Sequence, residues 1–385
     1  MTSDLIKGFQ DFTGEEARKR AQIKRIIEDT FQLYGFEPAE TPIIEQEEFV
    51  KGNNVDDEAV SDVFKLKDRG KRNLALRYEF TFQLKRLAQN KKLPYKRYQL
   101  GSVFRDEPVK PGRLRQFTQC DADVVGSSLK DEAEILALAS EIFKKLGIKT
   151  TIYVNNRKLL NEILREEGIR GERINAVIRE IDKLDKLSEQ EVKDNLKKYN
   201  AGSVLEIFKK SESFFAKYVA YSEINELKEL CNNYGVEINF LPTLARGLSY
   251  YNGTVVEVRS EGKDSISGGG AYLVNGIQSF GISFGVERVT AFSKLKIKEG
   301  NVLIISLEED KAAINLASKL RKKNIRCSMF YGKVGKGLEY GNSVKSPYAI
   351  IIGKEEVKEG KFTFKDLNSG KERKLDVDEI ISGFV

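Results

Sequence analysis

The segment KRYQLGSVFRDEPVKPGRLRQFTQC, Lys96 to Cys120, carries a two-residue repeat on both sides of a short Pro/Gly loop. A helix cannot use that repeat and a strand can, so the spacing predicts two strands joined at the loop. In RYQLGSVFRDE it puts Arg97, Gln99, Gly101, Val103 and Arg105 on one face. In LRQFTQCDADVV it groups Arg115, Phe117, Gln119, Asp121 and Asp123. When the strands pair, polar groups stand at fixed depth, and Arg105, Arg113 and Arg115 gather at one end. Guanidinium forks bind phosphate oxygens two at a time, so the cluster points to a phosphate site. The loop DEPVKPG lets Arg113 fold over a ligand, and Phe117 offers a ring to an aromatic base. An exposed hairpin with arginines for solubility explains any one of them, but weakens as other segments add similar features.

The chain has 385 residues and not one histidine. No mechanism with an imidazole base, an imidazole nucleophile or a histidine metal ligand is open to it. The length suits two or three domains. The net charge of +7 is compatible with a polyanionic partner without proving one. Cys120, Cys231 and Cys327 are far apart, with neither metal nor disulfide spacing, which suggests a reducing, cytoplasmic compartment. The start lacks an apolar signal core, and no apolar run approaches membrane-spanning length.

Along the chain, Thr13 with Glu16 forms a capping-box signal before a helix with Ile23, Ile27, Phe31 and Tyr34 on one side, ended at Gly35. A hairpin turning at Gly70 follows, then the central pair of strands, a helix over about 128–146 and a strand, KTTIYVNN. Residues 157–233 read as a helical insertion or connecting subdomain. The strand pattern returns in LARGLSYYNGTVVEVRS and SFGISF. A boundary falls near 298–300, giving domains 1–298 and 299–385. The second reads β-α-β-α-β, a small α/β unit with a mostly parallel sheet. Residues 301–385 hold 16 Lys/Arg against 12 Asp/Glu, a surplus of 16 − 12 = +4 that hints at a polyanion.

Further segments add chemistry. In LRYEFTF, Arg77, Glu79 and Thr81 share a strand face, and Glu79 with Thr81 suits an ammonium group. Arg246 sits among apolar residues before Tyr250 and Tyr251, so it needs a partner. SISGGGAY permits close backbone approach, or else a plain tight turn. Arg288 falls in the first turn of a helix starting at Gly285, where a cation opposes the dipole unless an anion is near. No P-loop or dinucleotide fingerprint occurs.

GFEPAETPIIE, FRDEPVKPGRLRQFTQ and FGISFGVERV resemble, in order, the three signature motifs of class II aminoacyl-tRNA synthetases. LARGLSYYNGTVVEV and SGGGAYL resemble motifs of the histidyl-tRNA synthetases, and LRYEFT and QCDADVVG resemble their archaeal and eukaryotic branch. The resemblance implies an α+β fold: an antiparallel-sheet catalytic domain with a helical insertion, plus a C-terminal α/β anticodon-binding domain. It implies activation of L-histidine by ATP with Mg²⁺, transfer to tRNA(His), and a homodimer. It places Arg105 on the α-phosphate, Glu107 at the adenine end, Phe117 on the ring, and Arg113 and Arg288 on the outer phosphates. Glu79, Thr81 and Gln119 would grip the ammonium and carboxylate. Asp123 and Tyr251 would face the imidazole, with Tyr250 and Tyr272 close by. Arg246 would touch both carboxylate and α-phosphate, near where related enzymes place a metal ion. No protein side chain is assigned as a metal ligand.

Three positions depart from the family pattern. Ser249 stands where an acid is usual, and Ala271 and Leu273 stand where an Arg and an Asp flank the tyrosine. Ser249 and Ala271 keep open an RNA-binding module without activity. A regulatory subunit of ATP phosphoribosyltransferase is a second alternative, against which the C-terminal domain and Arg246 argue, and a class II enzyme for proline, threonine or glycine is a third. The RGLxYY match argues against the last. The lack of histidine would let such an enzyme be made when charged tRNA(His) runs out; compositional drift or engineering explains it equally well.

Overall fold

The computed structural model describes residues 4–52, 62–109, 113–246, 250–261, 264–296 and 301–384. Ser249 and the boundary near 298–300 lie outside them. The chain divides into two compact units, Met1–Leu295 and Lys296–Val385.

The strands of the first unit are β1 (Glu37–Pro38), β2 (Ile44–Gln46), β3 (Lys65–Lys67), β4 (Asn73–Leu76), β5 (Tyr95–Phe104), β6 (Gln116–Val125), β7 (Thr150–Asn156), β8 (Ile238–Phe240), β9 (Thr254–Ser260), β10 (Ser265–Val274) and β11 (Ile277–Gly285). Eight form one sheet in the order β1-β5-β6-β11-β10-β9-β7-β8, with an antiparallel centre and a parallel pair at each edge. The predicted central pair is present, and Arg97 lies opposite Asp123, Gln99 opposite Asp121, and Gly101 opposite Gln119.

Alternation divides β6 between two environments. Cys120, Ala122 and Val124 are fully buried in the main core beside Ile23, Ile27 and Phe31 of helix Gly14–Leu33. The Phe31 ring lies 5.2 Å from that of Tyr98 and 6.0 Å from that of Phe284, so helix and sheet interlock through aromatics. Gln119, Asp121 and Asp123 point the other way, into the site described below. Thr13 is the N-cap of that helix, but its side chain makes no capping bond. Helix Leu129–Lys145 starts as predicted: the Asp131 carboxylate accepts from the Ser128 N–H and hydroxyl.

Six α-helices and a short 3-10 turn lie between β7 and β8, so the helical insertion separates strands that are neighbours in the sheet. Its Leu160, Ile178 and Leu227 join the same core. Arg77, Glu79 and Thr81 do not share a strand face. β4 stops at Leu76, and Thr81 opens helix Thr81–Leu87, which buries Phe82, Gln83 and Leu84. Of LARGLSYYNG, the described residues 244–246 and 250–253 lie in no strand, and the strand begins only at Thr254. SISGGGAY is the interior of β10 rather than a turn.

The second unit has strands β12 (Val302–Ser306), β13 (Cys327–Tyr331), β14 (Tyr348–Ile352), β15 (Phe362–Asp366) and β16 (Glu372–Leu375), in the order β13-β12-β14-β15-β16. The first three are parallel, and the last two add an antiparallel hairpin. Val302, Ile304, Ile350 and Ile352 are fully buried against Leu316 and Leu320 of helix Asp310–Lys322. Among the described residues no helix is long and apolar enough to cross a membrane.

Candidate functional site

Two adjoining cavities open on the face of the large sheet opposite helix Gly14–Leu33. The first, about 310 Å³, is lined by Arg105, Glu107, Arg113, Phe117, Arg246 and Arg288, among others. The second, about 250 Å³, is lined by Glu79, Thr81, Asp121, Asp123, Tyr250, Tyr251 and Tyr272. Arg105, Gln119, Arg246, Gly268 and Ser283 line both, so they mark the junction. Every residue to which the family resemblance gives a role therefore lies on one cavity or the other, while Arg77 and Arg115 line neither.

Backbone carbonyls hold Arg105 and Arg288. Arg105 Nε donates to Tyr78 O at 3.1 Å and its Nη2 to Gln119 Oε1 at 3.4 Å, while Cζ stands 5.0 Å from the centre of the Phe117 ring. Arg288 Nη1 donates to the Ser265 carbonyl. Burial, then the nearby Arg113, push Arg288 below its ordinary pKa, as expected where cations face each other. Arg113 Nη1 reaches Glu107 Oε2 at 3.2 Å on an exposed rim, a pair too solvated to tie it down. Arg115 does not join the cluster. It pairs with Asp106 at 3.3 Å, and its Nε donates to Glu107 O.

Arg246 sits in a loop at φ +54, a strained setting for a residue with a Cβ. Fully buried Asn155 fixes that loop by donating to Pro242 O and Leu244 O, each at 2.9 Å. The guanidinium lies 3.8 Å from Glu257 Oε1 and crosses Gly268 so closely that any Cβ there would collide with it. The glycines of β10 thus serve close approach to a side chain.

In the second cavity Asp123 is held on two sides. Fully buried Arg97 contacts its Oδ2 at 2.9 Å, and Tyr272 OH donates to Oδ1. Gly281 admits the carboxylate, since a Cβ there would collide with Oδ1. The Tyr250 ring packs 4.8 Å from Tyr251 and 5.7 Å from Tyr272. Burial raises all three phenols, so they remain neutral hydrogen-bonding groups. Burial, then Asp123, push Asp121 up to about 6. Ala271 is buried in the core, while Leu273 is half exposed, so neither departure alters a cavity wall.

Sequence reasoning missed Arg97, Asp121 and Glu257 as site residues. Arg97 and Asp121 stood on the right faces, but alternation does not reveal which groups pair. Among the described residues no three acidic or cysteine side chains are grouped to hold a metal.

The family described as Histidyl-tRNA synthetase matches residues 8–289, and the Anticodon binding domain family matches residues 301–385. The chain belongs to the histidyl-tRNA synthetase family. It is 35% identical to Histidine--tRNA ligase 2 of Shouchella clausii, covering 96% of this chain and 97% of that one. The solved histidyl-tRNA synthetase of Nostoc sp. PCC 7120 matches with a TM-score of 0.86 and 26% identity over 100% of both chains. An ATP phosphoribosyltransferase regulatory subunit/histidyl-tRNA synthetase from Bacillus halodurans matches with a TM-score of 0.76 over 88% of this chain and 96% of that one. At 20% identity that likeness shows the fold alone.

Proposed function

We propose that this synthetase activates L-histidine with ATP and transfers it to the 3′ end of tRNA(His). The observation that carries the reading is the convergence of Arg105, Arg113, Arg246 and Arg288 on one cavity that continues into an acidic, tyrosine-lined one. In the first step a carboxylate oxygen of histidine attacks the α-phosphorus of ATP. The new P–O bond forms as the bond to pyrophosphate breaks. The attacking carboxylate is already deprotonated at neutral pH, so the step needs no general base. It needs two anions held together and the developing charge neutralised. In the second step a ribose hydroxyl of the tRNA attacks the acyl carbon and releases AMP.

At the junction Arg105 holds the α-phosphate, and Arg246 bridges carboxylate and α-phosphate. Arg113 and Arg288 take the outer phosphates, Phe117 stacks on adenine, and Glu107 reads its edge. Glu79, Thr81 and Gln119 take the ammonium and carboxylate. Asp123, with Tyr250, Tyr251 and Tyr272, faces the imidazole. Mg²⁺ entering on the phosphates supplies further charge neutralisation. The second unit binds the anticodon, and the chain works as a cytoplasmic homodimer. No observation separately favours the regulatory-subunit alternative. ATP–pyrophosphate exchange with each of the twenty amino acids tests the reading. Exchange with histidine alone is expected; exchange with another amino acid, or with none, overturns it.

A further inference from the structure

We propose that Asp121 is a positioning residue: it fixes the Gln119 amide so that Oε1, and not Nε2, faces the substrate ammonium. This rests on the histidine-activating reading above. Gln119 and Asp121 are both buried, two residues apart on the cavity face of β6. Gln119 Nε2 donates to both carboxylate oxygens of Asp121, at 3.0 and 2.9 Å. Ser283, opposite Asp121 on β11, also hydrogen-bonds that carboxylate. On its other side Gln119 Oε1 accepts from Arg105 Nη2 at 3.4 Å.

These partners allow one amide orientation. Turned over, Gln119 would set its oxygen against a carboxylate and its N–H donors against a guanidinium. Gln119 stands where the two cavities meet. A substrate ammonium there has donors and no acceptor, so it requires the oxygen. Asp123 does not serve the amide: it stands two pleats further along β6, about 13 Å from Gln119 at the usual rise, and contacts Arg97 and Tyr272 instead. Asp121 therefore acts on the substrate through Gln119. Removing it frees the amide to present either end.

The test uses the full-length chain, with histidine affinity read by calorimetry and KM by exchange kinetics. Asp121→Ala is expected to raise the Kd and KM for histidine about tenfold, the usual order for leaving a buried polar group unmatched. The KM for ATP should change by less than about twofold, as should the affinity for imidazolepropionate, which lacks the amine. Asp121→Asn retains an acceptor for Gln119 Nε2 and should restore most of the affinity. Asp121→Ser, too short to reach the amide, replaces the alanine variant if that one does not fold. In a Gln119→Ala background, Asp121→Ala should add less than about twofold, since the group it positions is gone. A full loss in that background, or an equal loss for imidazolepropionate, overturns the proposal. So does an unchanged histidine affinity in an active Asp121→Ala enzyme. A parent chain with neither histidine binding nor exchange overturns the functional reading instead, and this proposal with it.

Discussion

Replacing Gly268 by alanine should separate the activity of this synthetase from its stability. An alanine Cβ at 268 would stand 2.5 Å from Arg246 Cζ and 2.7 Å from Nη2. Non-bonded heavy atoms rest at about 3.5–4.0 Å, so the guanidinium must retreat by about 1 Å. The arginine end is flexible and the retreat itself costs little. Gly268 lies inside β10, where alanine is favoured over glycine by about 0.5–1 kcal/mol. The melting temperature should therefore hold or rise. Activity should move the other way. A misplacement of about 1 Å costs on the order of 10²-fold, and loss of one preorganised donor costs about 10²–10³-fold. The expected fall in kcat/KM is thus about 10²-fold, or about 2.7 kcal/mol of transition-state stabilisation. Histidine-dependent ATP–pyrophosphate exchange and thermal unfolding measure the two quantities on one sample. Exchange within about threefold of the parent, with melting unchanged, would refute the claim that Arg246 must lie against β10.

Arg246→Ala should lower exchange by about 10²–10³-fold and leave melting nearly unchanged, because its contact with Glu257 at 3.8 Å is loose; normal exchange would remove Arg246 from the chemistry. Asp123→Ala should raise the KM for histidine far more than that for ATP, and equal rises would move Asp123 out of the imidazole pocket. It also strands fully buried Arg97, at a cost of about 3–5 kcal/mol, so Asp123→Asn should be compared in parallel by melting. Glu132, buried with Oε2 unpartnered, has its pKa pushed up to about 7, mainly by burial. The folded chain therefore holds a proton that the unfolded chain gives up, and stability falls as pH rises from about 4.5 to 7. Glu132→Gln should relieve this by at most about 3 kcal/mol at pH 8 and by nothing below about pH 4.5; a gain independent of pH in thermal melts would contradict the assignment.

The parts of the fold legible in the sequence are those where one periodicity runs unbroken. β5 and β6 alternate for ten residues each, and helix Leu129–Lys145 has a capping serine before its apolar stripe. The segment Tyr78–Phe82 misleads because Tyr78, Phe80 and Phe82 alternate like a strand, while the buried run Phe80, Phe82 and Leu84 in fact straddles a helix start. Arg115 has the correct spacing for the site, but a local acid, Asp106, takes it. Alternation says which face a side chain occupies and nothing about its opposite number. The pairing of Arg97 with Asp123 depends on register between strands, and the passage of Arg246 over Gly268 depends on a loop folding back across β10. Neither relation is local in sequence, so one chain read alone cannot supply it.

The same relations explain how a chain without histidine can build a site for acyl activation. A guanidinium has donors on more than one edge. Here one edge is spent on a backbone carbonyl: Tyr78 O for Arg105, Ser265 O for Arg288, and Phe80 O for Arg97. These anchors hold the planar groups at a fixed tilt and leave the remaining donors of Arg105 and Arg288 available to the cavity. Fixed donors need little reorganisation when charge develops on the α-phosphate, and that is where electrostatic catalysis gains its advantage over water. A titrating base would add nothing to a step whose nucleophile is already an anion. The absence of imidazole therefore removes no group that the activation step requires, and the catalytic demand there falls on the backbone carbonyls that orient the arginines.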